Sequence, residues 1–356
     1  MTMSDTRSKA LDSLRASLEP RDLDHLAIME AVKTRFLTTD RYRRLDVAFK
    51  LALTNLLLRR DPSKPLGPGN RQEARIILLV GETGAGKSCA IHRLFEQHPT
   101  YAGYADEEAP NPAAISLRIR SPCTFVAVGR QVLAATGYPV AGKMENHAVW
   151  QRVFERLQML GTTVLHFDEV HNVTRTADWD DKADFQNTLK SLVTHTDWPV
   201  TVIVSGLSEL VPFIEATPED KRRTVAVAFE PLCLPDDIAM LMALTEDLAA
   251  LAGLSVSPAT ETGVIPRLVH AASYQLGTTI NLLQEAIGTA LSTGTSTLSL
   301  TQFAEAYATL TGCRPLANPF RVPDWQAVDC SRLLDKANLP RHQIATPQPS
   351  GKRRLK

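Results

Sequence analysis

Short apolar segments alternate with helical stretches through the middle of the chain, from Arg75 to Phe229. The short segments are rich in β-branched residues and are predicted to be strands: Ile76–Val80, Ala113–Ile119, Thr162–Phe167, Val200–Val204 and Val225–Phe229. Helices are predicted between most of them, near Lys87–Gln97, Thr124–Ala135, His147–Leu160 and Lys182–His195. Because continuous apolar strands separated by helices form parallel sheets covered on both faces, the pattern predicts an α/β fold.

Different patterns flank this α/β segment. Apolar residues spaced three to four apart, such as Leu45 and Phe49, predict helix within Leu23–Arg60, before a proline- and glycine-rich break. Beyond the last strand the predicted elements are helices: Pro235–Ala252, Pro258–Leu276, Thr279–Leu291 and Thr301–Leu310. We therefore expect an N-terminal helical segment (1–70), an α/β core (71–234), a helical lid (235–314) and a flexible C-terminal tail (315–356).

The composition excludes several classes of protein. The 356 residues are 44% hydrophobic, which is enough to bury a core. No run of 18 apolar residues occurs and the charged N-terminus lacks the apolar centre of a secretory signal, so we expect a cytoplasmic protein without a membrane partner. The five cysteines are scattered and have no zinc-ligand spacing, which predicts reduced structural thiols.

A phosphate-binding loop follows the first predicted strand. Residues 81–88 read Gly-Glu-Thr-Gly-Ala-Gly-Lys-Ser and satisfy G-x-x-x-x-G-K-[ST] between a strand and a helix. Such glycines let backbone N–H groups approach phosphates, Lys87 would reach the β- and γ-phosphates of ATP, and the Ser88 hydroxyl would ligate Mg²⁺. We expect nucleotide contacts from the whole loop and the next residue: Gly81, Glu82, Thr83, Gly84, Ala85, Gly86, Lys87, Ser88 and Cys89.

Two adjacent carboxylates end the third predicted strand. Asp168 is the candidate for the Mg²⁺ shell, and Glu169 is the candidate base that activates water for attack on the γ-phosphate. Two acids are needed because one carboxylate cannot both neutralise the metal and accept a proton. His171 follows them, but no second ligand stands at helical spacing, so we expect no metal site there.

Two more catalytic hypotheses concern the later strands. Ser205 ends the fourth predicted strand and either senses the γ-phosphate and positions water, or is an ordinary turn residue. Lys221, Arg222 and Arg223 precede the last strand, where ring ATPases place an arginine that completes a neighbour's site. Arg223 is the first choice for that role and Arg222 the second, and the alternative is a solvated basic cluster.

The chain resembles the TniB/TnsC-like AAA+ ATPases that regulate DNA transposition in bacterial elements. The resemblance covers Leu23 to Phe320 and rests on Asp168–Asn172, on Pro122-Cys-Thr124, on Asn318-Pro-Phe320 and on the helical segment before the loop. It implies an AAA+ P-loop fold and an ATP-loaded oligomer, a ring or helical filament, that assembles on double-stranded DNA. Such an oligomer marks a target site and recruits or is remodelled by a transposase, often beside a target-selector subunit.

Charge is balanced overall, with 39 basic and 39 acidic side chains, but not locally. Ala109–Met144 contains basic residues and no acid, whereas Pro231–Cys313 contains acids and one basic residue, Arg267. The core is therefore the predicted DNA-binding part, and its candidate phosphate contacts are Arg118, Arg120, Thr124 and Arg130. The alternative for these residues is a solvated face, and Arg41–Arg44 is open to either DNA or a partner subunit.

The lid departs from the usual pattern of ring ATPases. Where those proteins carry a lid arginine that senses ATP, this chain has Asn281, and Arg267 is the only nearby candidate. Other functions also fit a P-loop core: a replication initiator or helicase loader, a small-molecule kinase, or a nucleotide-dependent scaffold without turnover. Kinases of that sort seldom need Glu169 beside Asp168, or a separate helical lid.

Overall fold

Five parallel strands form the centre of the computed structural model, which describes residues 3–106, 108–121, 124–139 and 146–331. The strands are β1 Ile76–Val80, β2 Ala114–Arg118, β3 Val164–Asp168, β4 Thr201–Gly206 and β5 Thr224–Ala228. They lie in the order β2-β3-β4-β1-β5, and every neighbouring pair is parallel. The predicted α/β fold is confirmed, and each predicted strand overlaps an observed one.

Helices cover both faces of this sheet because alternate residues of each strand point to opposite sides. Leu78 joins the core on one face with Phe185, whereas Leu79 joins the core on the other face with Phe49 and Phe95. Strands β1, β3 and β4 are buried along their whole length, which explains their continuous apolar sequences. Helices α1 to α10 span Met3–Ala16, Pro20–Thr34, Asp40–Leu57, Lys87–Gln97, Phe125–Ala135, Asn146–Leu160, His171–Thr176, Trp179–Thr194, Leu210–Ile214 and Pro218–Arg223.

The predicted helical segment before the sheet is divided at Thr39. The Thr39 hydroxyl accepts a hydrogen bond from the Tyr42 N–H at 3.3 Å and so caps the start of α3. Arg41, in the first turn of α3, is buried, donates to the Pro231 carbonyl at 3.1 Å and lies 3.6 Å from the Asp237 carboxylate. Its guanidinium is therefore engaged in an internal contact.

Helices follow the last strand of the sheet, as predicted: α11 Ile238–Leu251, α12 Pro258–Ala271, α13 Leu276–Thr293 and α14 Leu300–Thr311. Two very short strands, β6 Ser255–Val256 and β7 Thr297–Leu298, pair in parallel between these helices. Periodicity cannot indicate such strands, because two residues carry no repeat. No helix in the described ranges is both long enough and apolar enough to cross a membrane.

The segment after α14 packs onto the helices, although the sequence predicted that a tail begins there. Phe320 is 2% exposed and stacks on Phe303 with ring centroids 5.7 Å apart. The buried Asn318 side chain donates to the Ala304 carbonyl at 2.8 Å, and Arg267 donates to the carbonyls of Pro319 and Val322. The last part of the predicted tail, residues 332–356, lies outside the described residues.

The described residues form two compact units. One comprises Glu30–Met240 with Tyr274–Ile280, and it contains the whole sheet and the first residues of α13. The other comprises the rest of the described chain, including α1, α12 and α14. The division into four parts at residues 70, 234 and 314 remains a prediction.

Candidate nucleotide-binding site

The phosphate-binding loop lies between β1 and α4, at the carboxyl end of the sheet. Helix α4 begins at Lys87, so the loop ends at a helix N-terminus with its unpaired backbone N–H groups. Gly86 immediately before it has φ +93°, a left-handed conformation that a side chain strongly disfavours. The predicted nucleotide contacts Gly81 to Cys89 thus form the loop and the first turn of α4, with Glu82 and Thr83 exposed.

The Lys87 side chain folds back over this loop. Its ammonium donates to the carbonyl of Gly81 at 2.7 Å and to that of Glu82 at 3.1 Å. Burial lowers the pKa of Lys87, and the nearby Asp168 and Glu169 carboxylates oppose that effect. Phosphate oxygens bound by the loop could replace these two carbonyls as acceptors. The Lys87 ammonium is therefore already close to the expected position of the phosphates.

Ser88 and Asp168 meet across the loop and the end of β3. The Ser88 hydroxyl donates to Oδ2 of Asp168 at 2.7 Å. Burial alone would raise the pKa of the Asp168 carboxyl, but the neighbouring His166 imidazole and hydrogen bonds from Ser205, Ser88 and the Glu169 N–H hold it below its ordinary value. The two predicted metal ligands are thus brought together, with the carboxylate ionised.

This pair fits Mg²⁺ in the presence of a nucleotide. Hydroxyl and carboxylate oxygens are the hard donors that Mg²⁺ prefers, and the ion usually takes one or two protein ligands together with phosphates and waters. No group of three His, Cys, Asp or Glu side chains in the described part of the chain is placed to hold a metal ion. Phosphate oxygens and waters would therefore complete the coordination.

Glu169 lies at a strained turn directly after β3. Its φ of +60° is left-handed, which costs a non-glycine residue about 1–2 kcal/mol. Its carboxylate lies 3.6 Å from the guanidinium of Arg118 and 3.1 Å from Nε2 of His171. The candidate base is therefore held between two side chains, one from the end of β2 and one from the start of α7.

Ser205 and His166 form a buried polar chain behind Asp168. The Ser205 hydroxyl donates to Oδ1 of Asp168 at 2.5 Å, and His166 bridges Ser205 and Ser116. Burial lowers the pKa of His166 to about 4, so its imidazole is neutral at physiological pH. Sequence reasoning missed His166 and Ser116. The available signal was a histidine inside an otherwise apolar strand, two residues before the candidate metal ligand Asp168.

The two arginines proposed to act across a subunit interface have different environments. Arg223 is 11% exposed at its side chain and pairs with Glu73 at 2.9 Å and with Glu219 at 3.7 Å. The hydrogen bond with Glu73 raises the pKa of Arg223 above its ordinary value. Arg222, the second choice, is exposed. The structure thus leaves Arg222 better placed than Arg223 to reach another subunit.

An open cleft of about 730 Å³ lies at the edge strand β2. Arg118 and Arg120 line it together with Ser116 and Gln131. Thr124 does not line the cleft, and its hydroxyl caps α5 by accepting the Ala127 N–H. Arg130, within α5, also lies outside the lining. Residues 122 and 123, to which the predicted motif after β2 extends, lie outside the described residues.

The start of α13 lies against the phosphate-binding loop. The Thr278 N–H donates to the Gly84 carbonyl at 3.1 Å, and a Cβ at Gly277 would come within 2.6 Å of that oxygen. Thr278, which makes this main-chain contact, lies three residues before Asn281, the position at which a lid arginine was expected. Arg267, the other candidate, donates to carbonyls of the C-terminal segment.

The family comparison agrees with this site. Residues 66–234 match the family model described as "Bacterial TniB protein". The core is therefore similar in sequence to the TniB family. No curated protein matches the chain in sequence. The match spans the phosphate-binding loop, both carboxylates and all five strands of the sheet, so the matched region and the structural core coincide.

Solved structures confirm the AAA+ fold of this chain. The ORC1 protein of Aeropyrum pernix, solved in complex with DNA, is similar with a TM-score of 0.53 and 17% identity, over 76% of this chain and 64% of that one. The Cdc6p protein of Pyrobaculum aerophilum is similar with a TM-score of 0.53 and 14% identity, over 78% and 70%. Drosophila ORC bound to DNA has a TM-score of 0.50 and 13% identity, over 85% and 68%. This chain thus spans less than two thirds of the Aeropyrum protein, and these identities show the fold alone.

Proposed function

We propose that this chain is an ATP-dependent, DNA-binding regulator of DNA transposition. In this proposal the protein binds ATP with Mg²⁺, assembles with copies of itself as a ring or filament on duplex DNA, and recruits or activates a transposase, with a target-selector subunit as a further partner. The observation that carries it is the Ser88–Asp168 hydrogen bond beside Lys87 and Glu169, within a core similar in sequence to the TniB family.

The site residues divide the work of ATP hydrolysis. Lys87 exchanges its two carbonyl acceptors for β- and γ-phosphate oxygens, and the backbone N–H groups of the loop cradle the phosphates. Ser88 and Asp168 would hold Mg²⁺, which would supply positive charge where negative charge develops on the phosphates. Glu169 accepts a proton from the attacking water, and that role needs its carboxylate to leave Arg118 or His171 and turn toward the nucleotide.

Binding of DNA is assigned to the cleft at β2. Arg118 and Arg120 line it, and guanidinium groups bind phosphate oxygens with paired hydrogen bonds. The helical lid is a poor candidate, because Pro231–Cys313 contains acids and a single basic residue. Two proteins of similar fold, ORC1 of Aeropyrum pernix and Drosophila ORC, were solved with bound DNA.

Electron microscopy tests the proposal. Purified protein is imaged on duplex DNA with a slowly hydrolysed ATP analogue, with ADP, and without nucleotide. Ordered assemblies on DNA are expected with the analogue and should be lost with Lys87→Ala. Assemblies that ignore the nucleotide would contradict an ATP-dependent function.

Two further measurements distinguish the proposed function from that of a kinase and from that of a replication initiator or loader. All phosphate released from ATP should appear as inorganic phosphate, since transfer to an acceptor would indicate a kinase. A transposition assay with the cognate element should require Lys87 and Glu169, since a replication initiator or loader would leave transposition unchanged.

A further inference from the structure

A buried histidine links three strands of the sheet to the carboxylate that is proposed to hold Mg²⁺. His166 lies in the middle of β3 and is 2% exposed. Its Nδ1 lies 2.8 Å from Oγ of Ser116 on β2, and its Nε2 lies 2.8 Å from Oγ of Ser205 on β4. Ser116 is the register partner of His166, and Ser205 lies two residues beyond Ile203, its partner on β4. These side chains and Asp168 therefore share one face of the sheet.

The Asp168 carboxylate fixes the direction of every hydrogen bond in this chain. A carboxylate only accepts, so the Ser205 hydroxyl gives its one proton to Oδ1 of Asp168. Oγ of Ser205 then accepts from Nε2–H of His166, which leaves Nδ1 as the acceptor of the Ser116 hydroxyl. All three protons point toward Asp168.

These contacts make the two oxygens of Asp168 unequal. Oδ1 accepts from Ser205 and from the Glu169 N–H at 2.9 Å, whereas Oδ2 accepts from Ser88. The oxygen on the side of the other metal ligand is thus the one with a single protein donor. Two hydrogen bonds to Oδ1 hold the Asp168 carboxylate in one orientation. Oδ2 accepts a single protein hydrogen bond, which a metal ion can replace.

We propose that His166 is a positioning residue for the Mg²⁺ site, which rests on the function proposed above. Ser205 has a second acceptor within reach, the Phe167 carbonyl at 3.5 Å. The Nε2–H of His166 occupies a lone pair of Ser205 and so keeps its hydroxyl aimed at Asp168. His166 acts through Ser205 and does not touch nucleotide or metal.

A purely structural role would not require this residue. An apolar side chain fits the middle of a buried strand, whereas a buried polar group is costly unless each of its polar atoms is hydrogen-bonded. His166 satisfies that condition at both nitrogens, so its removal should affect the carboxylate more than the packing.

Metal affinity measured by Mn²⁺ electron paramagnetic resonance tests the role without relying on turnover. The full-length protein, saturated with a slowly hydrolysed ATP analogue, is titrated with Mn²⁺, and nucleotide affinity in EDTA is measured in parallel. The variants are His166→Leu, His166→Gln and His166→Asn, with Val164→Ala as the control. Val164 lies on the same face of β3, is fully buried and contacts no member of the polar chain through a hydrogen bond.

The expected pattern follows from which variant can donate to Ser205. His166→Leu should weaken Mn²⁺ binding about 10- to 100-fold, the usual effect of losing a residue that orients a metal ligand, and leave nucleotide affinity in EDTA unchanged. His166→Gln places an N–H near the position of Nε2–H and should restore most of the affinity, whereas the shorter His166→Asn should not. If His166→Leu fails to fold, the difference between Gln and Asn remains the test.

Three other results would contradict the positioning role or the function on which it rests. Equal Mn²⁺ affinity of the Gln and Asn variants and of wild type would overturn the positioning role. A loss of the same size in Val164→Ala would also overturn it, because general loosening of β3 would then suffice. If wild-type protein binds no nucleotide or metal, the proposed function fails first, and that failure is visible in the wild-type titration alone.

Discussion

Arg118 and Glu169 face each other across the carboxyl ends of β2 and β3, with Nη2 of the arginine 3.6 Å from Oε1 of the glutamate. Arg118 is the register partner of Asp168, which brings it next to the following residue, Glu169. The Arg118 side chain is 75% exposed and lines the cleft to which DNA binding is assigned. One guanidinium is thus shared between the candidate catalytic base and the candidate DNA surface.

Removing this pair should raise ATP turnover in the absence of DNA. In Arg118→Ala the Glu169 carboxylate loses one of its two partners and turns toward the nucleotide more readily. Because exposed ion pairs contribute only about 0–1 kcal/mol, the expected rise is at most about fivefold. Arg120→Ala is the matched control, since Arg120 lines the same cleft and has no contact with Glu169 among the described ion pairs. Unchanged basal turnover in Arg118→Ala would show that the pair does not restrain the base.

The four predicted DNA contacts should differ in how much each contributes to the salt dependence of DNA binding. Arg118→Glu and Arg120→Glu should each reduce the slope of log K against log salt by about one unit, since each removes one phosphate contact. Arg130→Glu and Thr124→Ala should change it less, because neither side chain lines the cleft. Fluorescence anisotropy on several duplex sequences measures the slope. An effect of Arg130→Glu as large as that of Arg120→Glu would place the DNA elsewhere.

Substitutions at Lys87 and at Glu169 should affect ATP binding and ATP hydrolysis differently. Lys87→Ala removes the ammonium that folds over the loop and should abolish measurable ATP binding. Glu169→Gln keeps the loop, Ser88 and Asp168, so it should bind ATP normally and lose about 10²- to 10⁴-fold in turnover, the usual contribution of a general base. Equal ATP affinities of wild type and Lys87→Ala, measured by calorimetry, would exclude the loop as the nucleotide site.

The fold could be predicted from the sequence because its signals are local. Strands β1, β3 and β4 are buried on both faces and therefore read as continuous apolar runs, and the phosphate-binding loop has a fixed spacing. The break at Thr39 is also local, but its N-cap lies within a periodic apolar pattern that continues on either side. The packing of Phe320 was missed because the composition after residue 315 predicts a flexible tail.

Candidate site residues could be predicted only where they belong to a sequence motif. Ser88, Asp168 and Glu169 lie in motifs from which their roles were predicted. His166 acts through Ser205, and such a contact depends on strand register, which the sequence does not display. The choice between Arg222 and Arg223 depends on Glu73, which is 150 residues away in the chain.

A methyl group at Gly277 should weaken nucleotide binding. Its Cβ would lie 2.6 Å from the Gly84 carbonyl oxygen, so the phosphate-binding loop or the start of α13 must shift. Overpacking of this kind costs about 1–3 kcal/mol, or roughly 5- to 150-fold in ATP affinity if the loop moves. The readout is ATP affinity by calorimetry.

Gly288→Ala is the control for that experiment. Gly288 also lies within α13, where alanine favours helix by up to about 1 kcal/mol, and its nearest neighbouring atom is at 3.6 Å. It should therefore keep normal affinity and a melting temperature at least as high as wild type. If both variants bind ATP equally well, the contact between α13 and the loop does not influence the nucleotide.

The two basic residues at the end of α10 should respond differently to alanine. Arg223→Ala breaks the contacts with Glu73 and Glu219 and should mainly lower thermal stability. Arg222→Ala removes an exposed side chain and should leave stability unchanged. If Arg222 completes the site of a neighbouring copy, its loss should reduce DNA-bound turnover about 10³- to 10⁵-fold, the range of an arginine finger. Calorimetric melting and ATP turnover, measured on both variants, separate these outcomes.

Mixing two inactive variants then tests whether Arg222 acts across an interface. The Arg222→Ala variant keeps Glu169, and the Glu169→Gln variant keeps Arg222. An interface between the two variants can therefore bring an intact Glu169 together with an intact Arg222. In a head-to-tail assembly of equal amounts, about a quarter of the interfaces have that arrangement, which sets the expected recovery near a quarter of wild-type turnover. The control is Glu169→Gln mixed with Lys87→Ala and Arg222→Ala combined in one chain, which cannot recover because no subunit has both ATP and Glu169. No recovery in the first mixture, with both variants still assembling on DNA, would mean that Arg222 serves its own subunit or binds DNA.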